Sequence, residues 1–133
     1  MKTFDVQAVG INKPANAVWD YISKPANLPE WTNAFARADD DSADLVTPMG
    51  EVPIQLRTEA SADTGSVDWH MTFPDGSVGT AFSRVTPDGE DKSIYSFVLM
   101  APPVPLEALE GALQEQMGIL ATELTSLKGR LEA

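Results

Sequence analysis

Few side chains in this sequence can move a proton near neutral pH, and His70, its one imidazole, comes first among them because histidine ordinarily titrates there. Arg57, Glu59, Arg84 and Tyr95 are further polar residues in strand-like runs. An arginine's planar fork of donors or a tyrosine's hydroxyl suits the carboxylate, carbonyl or phenol of a ligand. Arg57, Glu59 and Arg84 serve equally well as cross-strand charge pairs on an outer sheet face. Asp39, Asp40, Asp41 and Asp44 offer the hard oxygens that calcium or magnesium takes, but their spacing matches no cation loop and suits a solvated turn. The absence of cysteine excludes disulfides, thiolate metal sites, iron–sulfur clusters and cysteine nucleophiles, and a single histidine removes the usual imidazole zinc sites. The expectation is therefore no metal and no cofactor.

The elements that carry these residues decide which of them meet. His70 stands in a run where Val67, Trp69, Met71 and Phe73 alternate with Asp68, His70 and Thr72. The two-residue period predicts a strand with the aromatic set inward and His70 on a solvated convex face; the opposite register would turn His70 and Asp68 inward and favour an enzyme. Phe4, Val6 and Ala8 alternate in the same way near the start, predicting a first strand. Asn12 is positioned to cap a helix with Pro14 in its first turn and Ala15, Val18, Trp19 and Ile22 on one face, ending before Pro25. A second short helix or turn carries Leu28 and Trp31.

From Ala34 to Met100, turn signals such as Asp63-Thr64-Gly65, Pro74-Asp75-Gly76 and Pro87-Asp88-Gly89 divide short apolar runs, which predicts consecutive antiparallel hairpins. Pro53 places its strand at an edge or a bulge near its start. Between Lys92 and Met100, Tyr95, Phe97 and Leu99 oppose Ile94, Val98 and Met100, so both faces are apolar and covering on both sides is expected. After Pro105, Leu106, Leu109, Leu113, Met117, Leu120, Leu124, Leu127 and Leu131 recur at steps of three and four. They form the stripe of one amphipathic helix of about twenty-six residues, roughly 39 Å long at ~1.5 Å each, enough to cross a sheet.

The 133 residues suit a single domain, 1–133, with one core. Hydrophobic residues at 43% and charged ones at 22% predict a chain that folds in water, and no run is long and apolar enough for stable membrane insertion. A formal charge of −11 repels phosphate backbones, so nucleic acid is not an expected partner. Met1-Lys2-Thr3-Phe4-Asp5 holds no apolar signal core, which makes a cytoplasmic location the expectation.

Strand, two small helices, about six antiparallel strands and one long helix make an α+β chain whose twisted sheet, of about seven strands in all, can curl around the helix and leave a gap between them. Val18-Trp19-Asp20-Tyr21-Ile22-Ser23 and Pro25-Ala26-Asn27-Leu28-Pro29-Glu30-Trp31, with the strand and Asn12-Lys13-Pro14-Ala15 before them, resemble the opening of a large superfamily. That superfamily, known as SRPBCC or START-like, includes START lipid-transfer domains, aromatic polyketide cyclases and dehydrases, and the birch-pollen allergen type. The resemblance implies the helix-grip fold, a curved antiparallel sheet wrapped around the C-terminal helix, with an internal pocket for a hydrophobic or amphipathic small molecule. It implies no reaction, since the superfamily includes enzymes, carriers and sensors, and no catalytic residue is carried over. Trp19 and Trp31 match its helical aromatics, whose role there is structural.

The leading expectation is binding of a small hydrophobic or aromatic molecule, lipid-like or polyketide-like, lined by Trp69, Met71, Phe73, Phe82, Val98, Met100, Leu113, Met117 and Leu120. A cyclase- or dehydrase-like enzyme is the alternative and needs His70, Asp68, Arg84 or Tyr95 inside the cavity. A protein-interaction module, using the acidic surface or the long helix and including a homodimer, is the third reading.

Overall fold

A computed structural model describes residues 3–47, 50–100 and 106–133, with the side chains of all of these except 47 and 106–113. The chain runs through β1 (Phe4–Ile11), α1 (Ala15–Ile22), a 3₁₀ turn (Pro25–Asn27) and α2 (Leu28–Trp31). Six more strands follow, β2 (Phe35–Ala38), β3 (Ser42–Thr47), β4 (Gly50–Ser61), β5 (Ser66–Thr72), β6 (Val78–Pro87) and β7 (Ser93–Met100), and then α3 (Leu106–Glu132). The strands form one antiparallel sheet in the order β1-β7-β6-β5-β4-β3-β2. Every β2–β7 neighbour is thus a hairpin partner, as the turn signals predict, and β1 joins from afar by pairing Phe4 with Met100 and Ile11 with Ser93. The sheet curls around α3, the helix-grip arrangement.

Three polar contacts fix α3 along β1. Gln7 Nε2 donates to the Met117 carbonyl at 2.9 Å, Lys128 Nζ donates to the Gly10 carbonyl at 2.8 Å, and Glu132 Oε2 accepts the Asn12 N–H at 2.9 Å. Asn12 is therefore not the cap of α1. The cap position is two residues later, at Pro14, whose carbonyl accepts from Ala17 and Val18 and which has no side-chain cap to offer. Its apolar face buries Val18 and Ile22, as the spacing predicts. Pro53 lies in the part of β4 that pairs with β3 alone, since β5 joins only from Gln55 onward, so its missing N–H interrupts no second ladder.

The core lies on the concave side, where Ile11, Val18, Ile22, Leu28, Val67, Tyr95 and Leu127 are fully enclosed. No helix among the described residues is long and apolar enough to cross a membrane.

Candidate functional site

Strand parity sorts the polar residues first. β5 pairs His70 with Arg57 and with Thr80, and Asp68 with Glu59 and Phe82, all on the convex face. There the His70 ring lies 3.3 Å from Glu59 Oε2, and Arg57 Nη1 donates to Glu59 Oε1 at 3.0 Å, the cross-strand and same-strand pairing expected of an outer face. The His70 hydrogen bond, first, and the Arg57 charge, second, hold the Glu59 carboxyl below the usual range. Arg84 is also outside and donates to the Thr64 carbonyl at 2.9 Å. Asp39 accepts the N–H groups of Asp41 and Ser42 at 2.9 and 2.8 Å and pairs with Arg37. Those backbone donors above all hold its carboxyl down at about 2, so the aspartate cluster organises the β2–β3 turn.

The concave face carries a different set. β6 contributes only small residues to its middle, Gly79, Ala81 and Ser83, opposite Met71, Trp69 and Val67 of β5 and, for the last two, Leu99 and Phe97 of β7. Rings line the room this leaves: Trp69 stacks on Phe97 at 6.0 Å, Phe97 meets Tyr95 edge-on at 6.4 Å, and Tyr95 meets Trp31 of α2 edge-on at 6.2 Å. Within this aromatic chain lie five buried polar atoms, Trp31 Nε1, Trp69 Nε1, Thr58 Oγ1, Ser93 Oγ and Tyr95 OH, with no hydrogen-bond partner among the described residues. Thr58 is the cross-strand neighbour of Trp69, and Ser93 stands two residues before Tyr95 on the same face, so the five form one continuous group. Leaving a buried donor or acceptor unpaired costs about 1–3 kcal/mol each, which makes such a concentration unusual. By contrast the third indole, Trp19 Nε1, donates to the Ser66 carbonyl at 3.1 Å.

Glu123 of α3 closes the group from the helix side. Its carboxylate accepts the Asn33 N–H at 2.7 Å, at the end of α2. Burial raises its pKa above the usual carboxylate range, against the pull of the Asn33 and Ala34 N–H groups. Burial likewise drives the Tyr95 phenol far up, only partly opposed by the neighbouring Ser83 hydroxyl and reinforced by the Glu123 and Asp68 charges. A carboxyl whose folded pKa is raised stabilises the fold when protonated, and that contribution is lost as pH rises through the folded pKa. Glu123→Gln is therefore expected to raise the melting temperature more at about pH 8 than at about pH 4, where the wild-type group carries its proton. Tyr95→Phe, which removes a buried hydroxyl beside that of Ser83, is expected to leave the unfolding free energy within about 1 kcal/mol of wild type in a urea titration.

Of the expected lining, Trp69 and Leu120 are buried, and Met71, Phe73 and Met117 are half-buried, with Met71 and Phe73 on the concave side of the sheet. The side chain of Leu113 lies outside the described residues. Phe82, Val98 and Met100 require correction: they sit on the convex face, Phe82 paired with Val98 and Met100 with Phe4, and Phe82 and Met100 are exposed. The Phe73–Ser77 turn sets Thr72 against Val78, so even positions of β6 face out, and no aromatic preference can move one residue across without its whole strand. Covering of β7 on both sides therefore does not hold. Ser83, Ser93, Thr58 and Glu123 went unanticipated, yet Glu123 was findable, three residues after Leu120 and four before Leu127 in the apolar stripe.

No family model and no curated protein matches the chain in sequence. Solved structures do match it. A START superfamily protein from Mycobacterium smegmatis superposes at TM-score 0.72 with 15% identity, over 98% of each chain. The ZhuI aromatase/cyclase from Streptomyces sp. R1128 superposes at TM-score 0.69 with 8% identity, over 97% of this chain and 93% of its own. The di-domain aromatase/cyclase BexL of the BE-7585A biosynthetic pathway does so at TM-score 0.74 with 15% identity, over 99% of this chain and 47% of BexL. At such identities the likeness is one of fold: the chain has the START-like helix-grip fold.

Proposed function

We propose that the protein binds a small, largely aromatic or hydrophobic molecule between the concave face of the sheet and α3. The observation that carries this reading is the continuous group of unpartnered polar atoms on Trp31, Thr58, Trp69, Ser93 and Tyr95 among stacked rings. Buried polar groups pair with protein, with ordered water or with a ligand, so a set without a protein partner among the described residues, gathered on one side of the sheet, offers hydrogen bonds to a ligand that brings acceptors of its own. Enclosing ~400 Å² of apolar ligand surface contributes about 10 kcal/mol at ~25 cal/mol per Å², and association costs of about 4 kcal/mol leave a dissociation constant of tens of micromolar. Titration with the uncharged dye Nile red tests it. One saturable site, displaced by naphthalene derivatives, is expected; a linear, non-saturating response contradicts it.

Proton transfer on the bound molecule, in the manner of a cyclase or dehydrase, is a second reading. It is favoured by the raised carboxyl of Glu123 beside Tyr95, since His70, Asp68 and Arg84 all face outward.

A further inference from the structure

The binding site reads as selective in charge as well as in polarity. Resting on the reading above, we infer that the site takes uncharged molecules bearing acceptor oxygens, such as aryl ketones and esters, and rejects the corresponding carboxylates.

The first argument is the donor inventory. Two of the five unpartnered groups are indole N–H groups, which donate and cannot accept, and the three hydroxyls of Thr58, Ser93 and Tyr95 can donate as well. A ligand that satisfies this set must bring oxygens with lone pairs, and a pure hydrocarbon leaves all five unpaired. The second argument is where the cations of β2–β7 and α3 lie among the described residues. From Ser93 to Leu127, which spans β7 and nearly all of α3, the sequence contains no lysine or arginine. The cations of the described strands, Arg37, Arg57 and Arg84, are exposed and engaged with Asp39 and Asp44, with Glu59, and with the Thr64 carbonyl. Lys128 and Arg130 lie at the far end of α3 against Glu132 and Glu30. The charged groups on this side among the described residues include two carboxylates, that of Glu123, close enough to Tyr95 to act on its ionisation, and that of Asp5, buried on the concave face of β1 opposite Leu99. A ligand carboxylate accepting from the Tyr95 hydroxyl would be desolvated without a cation and set against a like charge, a combination that buried sites do not compensate. A ketone or ester oxygen in the same place takes the same hydrogen bonds at no such cost.

Four probes on one ring system test this at neutral pH by tryptophan fluorescence and calorimetry: naphthalene, acetylnaphthalene, methyl naphthoate and naphthoate. The ketone and the ester are expected to bind at least tenfold more tightly than naphthoate and more tightly than naphthalene. In Glu123→Gln the gap between methyl naphthoate and naphthoate is expected to narrow several-fold. Naphthoate binding as well as or better than its ester overturns the inference while leaving an enclosed-ligand site standing. Binding of none of the four overturns that site and the inference together.

Discussion

Replacing Leu127 by alanine is expected to lower the free energy of unfolding by about 3 kcal/mol, within the ~2–5 kcal/mol range of leucine truncations in closed cores. The side chain is wholly enclosed, on the α3 turns that also bury Leu120 and Leu124. Its loss removes about three buried carbons and leaves a void that β1 cannot close, because the Lys128 and Glu132 contacts hold helix and strand at fixed separation. For a domain whose total stability is about 5–15 kcal/mol, this corresponds to a melting temperature lower by about 10 °C. Ile119, on the same helix but 38% exposed, is the control, and Ile119→Ala is expected to cost less than about 1 kcal/mol. Equal losses at the two positions in urea titrations would mean that a different face of α3 meets the sheet.

Gly65→Ala is expected to cost about 3 kcal/mol as well, for a reason of backbone rather than packing. Gly65 ends the β4–β5 turn at φ +73°, and a Cβ built on it would stand 2.2 Å from the carbonyl oxygen of Val85. That neighbour is main chain of β6 and cannot rotate away, and the same pair is joined by the Val85 N–H donating to the Gly65 carbonyl at 2.8 Å. The left-handed conformation alone costs a non-glycine residue about 1 kcal/mol, as Gly89→Ala at φ +82° in open space should display. The remainder is the displacement of β6 needed to relieve the overlap. Should Gly65→Ala and Gly89→Ala prove equally mild, the close approach of the turn to β6 is wrong.

How legible these features were follows from how each is encoded. The hairpins and α3 are local: Asp75-Gly76 between two alternating runs, or leucines at steps of three and four, declare themselves within a dozen residues. The facing of Trp69, Met71 and Phe73 was readable because their alternates, Asp68, His70 and Thr72, are polar. For Phe82 the alternates Ala81 and Ser83 are small, so alternation gives little contrast between the faces, and the fold sets the small residues inward. Val98 and Met100 sit in a strand apolar on both faces, so alternation carried no sign, and only the pairing with β1 and β6 decides it. The unpartnered polar group was illegible for another reason. Thr58, Trp69, Ser93, Tyr95 and Trp31 come from four separate elements, and a missing hydrogen bond is a property of the assembled interior, not of any segment.

The three tryptophans provide the most direct test of the central claim, because each indole N–H gives its own proton–nitrogen NMR signal. Titration with acetylnaphthalene should shift the Trp31 and Trp69 indole signals in the direction of a stronger hydrogen bond, saturating together, while Trp19, already bonded to the Ser66 carbonyl, stays in place. Saturable binding that moves Trp19 and leaves Trp31 and Trp69 untouched, or no shift in any of the three, would contradict a ligand held between the concave sheet and α3.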